Sequence, residues 1–452
     1  MDRLLLSFYG DDLTGSTDAM EALTLSGVRA ALFLDPATPE QLARLGRLGA
    51  LQAIGLAGTS RSESPAWMDA HLPAAFEWLR GLAAGVCHYK VCSTFDSAPQ
   101  VGSIGRALEI GARIFAQDAV PVVVGVPQLR RYTVFGHHFA AMNGITYRLD
   151  RHPVMSRHPV TPMHEADLRL HLAAQTDVPV ELLDGLSLTG PDADAATDRA
   201  MQQGAGRQGR RAVLFDVADL ATQRSVGRQL WRHARAGHSL FTVGSSGVEY
   251  ALVPEWAAQG LIPEQAATPA PSVGAVDQIA VVSGSCSEIT ATQIRTAGEQ
   301  GFERVAVDAA RLSSRSLGDA EQSRVCALAC AALDQGRSVI VHSAMGPDNM
   351  AAPFADHEPH AIGRRLGRLL RDMVAHRQLR RAVVAGGDTS SHALRELHVH
   401  ALTVAMALPQ TPGSPLCTAH SDDARFDGLQ VALKGGQIGS PAYFVAIRDG
   451  RR

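Results

Sequence analysis

Long apolar runs are missing from this chain of 452 residues. No stretch approaches the ~20 apolar residues that a membrane-spanning helix needs. The run Leu4–Phe8 is too short for a secretory signal and follows no basic region, so no leader is expected. A basic excess is missing as well. The formal net charge is −3, which argues against nucleic acid or an anionic membrane as a partner. Cysteine is sparse: Cys87, Cys92, Cys286, Cys326, Cys330 and Cys417 lie scattered, with no C-x-x-C pair. That pattern speaks against a zinc centre and for reduced thiols in a cytoplasmic protein. Three familiar signatures are absent too: GxxxxGK[ST], GxGxxG after the first strand, and the GxSxG elbow. A nucleotide site would therefore be of another type, and a serine hydrolase is disfavoured. No internal repeat of fixed period is found.

What the chain does have is an α/β rhythm on a normal globular composition, 46% hydrophobic and 19% charged. Its length exceeds one ordinary core, so two domains are expected. The first apolar run stops at Gly10 and is followed by Asp11-Asp12-Leu13-Thr14-Gly15-Ser16-Thr17-Asp18, then by a helical pattern. In an open parallel sheet, ligands bind beyond the carboxyl ends of the strands. Two adjacent carboxylates there repel each other and need a cation, donor or proton. A single Asp would suffice to cap the helix, so the pair marks a pocket. Further strands are expected at Arg29–Leu34, Leu51–Ala57, Val86–Val91, Pro121–Val126, Ala212–Asp216 and Leu240–Val243, with helices such as Pro65–Leu82 and Ile104–Phe115 between them. This is the pattern of a parallel, Rossmann-like sheet. The segment from Pro127 to Asp167 breaks the rhythm and reads as a hairpin and an extended loop. The adjacent His137 and His138 would point to opposite faces, which argues against a metal pair.

Lys90 ends an apolar strand before Ser93, Thr94 and Asp96, and Arg61 follows Thr59-Ser60. Lys90 reads either as an edge-strand lysine or as an anion-binding group. Arg61 could grip a carboxylate bidentately. The Pro-rich stretch Pro254–Gln278 has linker composition. The expected boundaries are residues 1–255 for an N-terminal domain, 256–277 for the linker and 278–452 for a C-terminal domain. The C-terminal part carries three glycine turns after apolar strands: Ser283-Gly284-Ser285-Cys286-Ser287, Gly386-Gly387-Asp388-Thr389-Ser390 and Gly435-Gly436-Gln437-Ile438-Gly439. Successive amides at such turns bind phosphate. The surroundings of Ser285 fit anion binding better than nucleophilic attack. The Arg-rich stretch from Arg364 to Arg381 reads as the solvated face of a helix whose other face is Leu366, Leu369, Leu370 and Met373.

These motifs together resemble the four-carbon acid sugar kinases. Asp11–Asp18 is similar to that family's DDxTGAxD signature, KVCSTFDSAPQVGSIG from Lys90 to its K-x-x-STxDS…GNIG segment, and Thr133–Phe139 to its TVxGHxF segment. Ser283–Gln293, Gly386–Ser390 and Lys434–Gly439 resemble its nucleotide motifs. The resemblance spans essentially the whole chain. It implies a two-domain α/β protein, with an N-terminal parallel-sheet domain that binds the acid sugar and a C-terminal α/β domain that binds nucleotide. It implies ATP with Mg²⁺, no metal held by the chain alone, and phosphorylation of a terminal hydroxyl, usually O4, of threonate, erythronate or 3-oxo-tetronate. Carried over by motif, Asp12 and then Asp11 would orient or deprotonate that hydroxyl. Arg61, Lys90, Ser93, Thr94 and Asp96 would hold the acid. Ser285, Ser287, Gly386, Gly387, Asp388, Thr389 and Gly436 would hold ATP. Departures from the family wording, including Ser16, Ser103 and Gly435-Gly436-Gln437, point to a branch acting on a related acid such as 3-oxo-isoapionate. Two other classes stay open from sequence: a ligase or phosphatase on the same scaffold, and a non-catalytic sensor. Homo-oligomerisation is also left open.

Overall fold

The computed structural model describes residues 4–47, 49–202, 209–234, 238–263, 273–346, 356–358, 360–408 and 411–451. The chain divides into two compact units, Met1–Ala267 and Thr268–Arg452. Among the described residues, no helix is long and apolar enough to cross a membrane.

The first unit contains strands β1 (Leu6–Gly10), β2 (Ala30–Phe33), β3 (Ala53–Ala57), β4 (Val86–Lys90), β5 (Ala119–Val123), β6 (Arg131–Val134), β7 (His137–Met142), β8 (Ile145–Arg148), β9 (Val180–Leu183), β10 (Arg211–Phe215) and β11 (Leu240–Gly244). Eight of them form a parallel sheet in the order β2-β3-β1-β4-β11-β5-β10-β9. Helices between the strands bury it on both faces, so its strands read as continuous apolar runs. Strand β4 is the exception. It sits next to β1 in mid-sheet yet carries His88 and Lys90, both buried. Lys90 is therefore not an edge residue.

Pro121 lies inside β5, where its missing N–H would leave a gap in the ladder. Pairing with β11 accordingly covers only Val122 and Val123. The side chain of Gln117 fills the place of the lost pairing, donating to the Phe241 carbonyl (2.8 Å) and accepting from the Phe241 amide (2.9 Å). Strands β6, β7 and β8 form a separate antiparallel sheet. It packs on Leu149, Met155, Met163 and Ala166. The expected hairpin thus gains a third strand.

The linker expected from residue 256 needs correction at its start. The helix Gly247–Ala258 runs through Pro254, and Trp256 is fully buried against Trp231. Proline is a local breaker, but the burial of a tryptophan outweighs it here. Residues 264–272 of that stretch lie outside the described residues.

The second unit contains β12 (Ala280–Ser283), β13 (Glu303–Ala306), β14 (Val339–His342), β15 (Arg381–Ala385), β16 (Val399–Met406), β17 (Leu416–Ser421) and β18 (Gln430–Lys434). Their order is β13-β14-β12-β15-β18-β17-β16. The first five are parallel, and β17 is antiparallel to both of its neighbours. Val281, Ile294, Ile340, Val383, Leu416, Ala432 and Phe444 belong to its core. The helix Ala361–Arg377 buries Leu366, Leu369, Leu370 and Met373, as its spacing requires. The expected solvated arginine face needs correction: Arg365 is buried and paired with Asp319, and Arg381, in β15, is buried with its guanidinium donating to Gln430 and the Ile447 carbonyl. Strands β12, β15 and β18 are adjacent and parallel, so the three glycine turns that follow them leave the sheet at one edge.

Candidate active site

In the first unit the site forms where β1, β3 and β4 end. Asp12 caps the helix Leu13–Leu25 by accepting the Gly15 amide. Its other oxygen accepts from Arg61 Nη1 at 3.2 Å. Arg61 Nη2 reaches both oxygens of Asp96 at 3.0 Å. Asp96 also accepts from Thr94 Oγ1 at 2.5 Å and from Thr161 Oγ1 at 2.9 Å. Burial would raise Asp96, but Arg61 and the two hydroxyls outweigh it and hold the carboxylate below its ordinary range. Lys90 Nζ donates to the Val91 carbonyl at 3.0 Å and pairs with Asp18 at 3.3 Å. Burial alone would lower this ammonium; Asp18, Glu249 and Asp11 hold it above its ordinary value. Both cations expected to grip an acid thus already answer carboxylates of the chain.

Asp11 differs from its neighbour. It is 5% exposed, and its Oδ1 has no hydrogen-bond partner among the described residues. Burial, and next the charge of Asp12, push its carboxyl up to about 7. A carboxyl so placed exchanges its proton near neutral pH, which suits a general base. Gly15 marks the space it faces. A Cβ at Gly15 would lie 2.8 Å from Asp12 Oδ1, 3.4 Å from Lys90 Nζ and 3.7 Å from Asp11 Oδ1. Glycine therefore keeps open a small gap bounded by two carboxylates and an ammonium.

Of the expected residues of this unit, Asp11, Asp12, Arg61, Lys90, Thr94 and Asp96 come together. Ser93 is half-buried and enters through its carbonyl, which accepts from His138 Nε2 at 2.8 Å. Burial pushes His138 down to about 4, so it serves as a neutral donor. His137 and His138 do lie on opposite faces: His138 is buried and His137 half-buried. Two participants were missed. Asp18 ends the first motif, and its spacing could have flagged it. Thr161 arrives from the coil after β8 with no sequence signal at all.

In the second unit a pocket of about 550 Å³ lies over Ser285, Gly386, Gly387, Thr389 and Gly436, and extends to Ser313, His357 and Gly363. Two glycines shape it. A Cβ at Gly284 would come within 2.2 Å of Thr389 Oγ1, and Gly386 has φ +123°, a conformation that side chains oppose. Ser287 is not among the described residues that line the pocket; its hydroxyl caps the helix Glu288–Glu299. The side chain of Asp388 lies outside the described residues.

Comparison with known proteins bears on both sites. A family model described as a sugar-binding N-terminal domain matches residues 6–252. A second, described as a nucleotide-binding C-terminal domain, matches residues 280–444. The chain belongs to the four-carbon acid sugar kinase family. Within this family it is 48% identical to a 3-oxo-isoapionate kinase of Paraburkholderia graminis, over 99% of this chain and 95% of that one. It is 31% identical to a 3-oxo-tetronate kinase of Cupriavidus necator, over 98% and 96%. A crystal structure of a Salmonella typhimurium LT2 protein superposes with a TM-score of 0.75 at 23% identity, covering 98% of both chains. That last likeness speaks to the fold alone.

Proposed function

We propose that this chain transfers the γ-phosphoryl group of ATP to a hydroxyl of a short acid sugar, with 3-oxo-isoapionate as the preferred acceptor. The observation that carries the acceptor is the gradient of identity: 48% to a 3-oxo-isoapionate kinase against 31% to a 3-oxo-tetronate kinase, both along nearly the whole chain. The first unit would bind the acid and the second the nucleotide. The gap at Gly15 would take the reacting hydroxyl. Asp11, not Asp12 as the motif alone suggested, is then the better proton acceptor. Asp12 is committed to the helix cap and to Arg61, whereas Asp11 keeps an oxygen without a partner. As the new O–P bond forms and ADP leaves, the hydroxyl proton passes to Asp11 Oδ1. Arg61 has two carboxylates to hold already, so its role is to fix Asp12 and Asp96 and to lend its remaining N–H groups to the acid.

Mg²⁺ would accompany the nucleotide. It retains several waters and takes oxygens from substrate phosphates, so it asks little of the chain. Hydroxyl oxygens of Ser285 and Thr389 stand at the pocket, the donor type that suits this ion. When bound, it neutralises phosphate charge. A cytoplasmic location goes with this reading, since all six cysteines are free thiols. The test is a coupled ADP-release screen over 3-oxo-isoapionate, 3-oxo-tetronates, threonate and erythronate, with the products identified. The expected result is ADP and phosphorylated acid in equal amounts, fastest with 3-oxo-isoapionate. Release of free phosphate alone, or nucleotide and acid binding without ADP, would overturn it.

A further inference from the structure

Lys434 is a charge buried beneath the nucleotide pocket. It ends β18 and is 1% exposed. Its Nζ donates to the Gly435 carbonyl (2.8 Å), to Thr290 Oγ1 (2.9 Å) and to the Gly436 carbonyl (3.4 Å). An ammonium can only donate, and this fixes the directions of its neighbours' hydrogen bonds. Thr290 accepts from Lys434, so its own proton goes to the Gly436 carbonyl at 3.1 Å. Ser285 must then donate to Thr290 (3.0 Å), while Ser285 Oγ accepts the Ser287 amide at 3.3 Å. Further along, Gln293 Nε2 donates to the carbonyls of Ile438 (3.1 Å) and Ser440 (3.0 Å).

Three carbonyls of the glycine turn, those of Gly435, Gly436 and Ile438, and that of Ser440 just beyond it are thus held by three side chains. The amide of Ile438 turns back toward the Gly435 carbonyl, while the N–H groups of Gly435, Gly436, Gln437 and Gly439 have no hydrogen-bond partner among the described residues. Carbonyls held on one side and successive amides left free is the construction of an anion nest. Burying an ammonium is costly unless it is well bonded, and burial pushes this one down to about 8. Such a group needs a task that a neutral side chain would not perform.

We propose that Lys434 is a positioning residue of the nucleotide site: with Thr290 and Gln293 it locks the turn Gly435–Gly439 with its carbonyls held, so that the amides are presented to the nucleotide's phosphates. Lys434 itself does not touch the nucleotide. The proposal rests on the nucleotide reading of this unit.

The test is calorimetric titration of the full chain with ADP and with adenosine, each in the presence of Mg²⁺, for the parent, Lys434→Met and Thr290→Val. In Lys434→Met the ADP affinity is expected to fall at least tenfold and the adenosine affinity to stay within twofold. In turnover, the KM for ATP rises with kcat less affected. Thr290→Val shows the same selective loss, about threefold, and carries the test if Lys434→Met does not fold. ADP binding within twofold of the parent in both variants, or equal loss of ADP and adenosine, overturns the proposal. A parent chain that binds no ADP overturns the nucleotide reading itself, and the parent titration tells the two failures apart.

Discussion

Asp11 and Asp12 are neighbours in sequence with opposite duties, and pH separates them. Asp11 ionises near 3.8 in an unstructured chain and at about 7 in the fold. Between those values the folded state keeps a proton that the unfolded state has released. Stability from this group is therefore fully present below about pH 4, is lost as pH rises, and is gone above about pH 7. About 3 pKa units at ~1.36 kcal/mol each set an upper limit of about 4 kcal/mol. Asp11→Asn is accordingly expected to raise the thermal midpoint at pH 8 and to lower kcat by about 10²–10⁴-fold. In the parent, kcat/KM rises with pH through about 7. Asp12→Asn removes the second-largest cause of the shift, after burial, so its acid limb moves to lower pH. If the limb persisted unchanged in a still-active Asp11→Asn, Asp11 would not be the base.

Elements carry the next level of control. The small sheet β6-β7-β8 and the coil after it touch the loop after β4: His138 bonds the Ser93 carbonyl and Thr161 bonds Asp96. Thr161→Val deletes one hydrogen bond to a buried carboxylate, worth about 1.5–3 kcal/mol. The expected result is a severalfold higher KM for the acid with the KM for ATP unchanged, read by initial rates. In the second unit, Gly284→Ala pushes a methyl into Thr389 Oγ1 and is expected to weaken ADP at least tenfold while leaving acid binding intact. The sequence showed these elements unevenly. The turn after β1 was legible because an apolar run, a glycine, capping groups and a helical period agree. Strand β13 was not, because its edge position leaves it half exposed. Strand β14 is a four-residue strand with only three apolar residues before His342, too short for periodicity to decide. In β16, irregularities between Val399 and Ala401 and between Val404 and Met406 break the alternation. Thr161 is invisible in sequence because only the third dimension brings it to Asp96, some 65 positions away.

For the whole molecule, the division of labour between units makes the strongest claim. Each unit has its own candidate site at the carboxyl ends of parallel strands, the place where such sheets bind ligands. The two-domain plan was readable because the motifs fall into two sets. The proline-rich stretch does not by itself mark the end of the first unit, because Pro254 lies inside the helix Gly247–Ala258. Ligand binding protects the backbone it orders. Hydrogen exchange on the intact chain should therefore resolve the assignment. ADP with Mg²⁺ is expected to slow exchange at residues 284–290, 386–390 and 435–439. The acid sugar is expected to slow it at residues 11–16, 59–63 and 92–97. Because the amides of Gly435, Gly436, Gln437 and Gly439 lack partners among the described residues, their protection by ADP should be large, and adenosine should not reproduce it. Protection of the Asp11 turn by ADP alone, with none at the Gly435 turn, would exchange the roles of the two units and end the present reading.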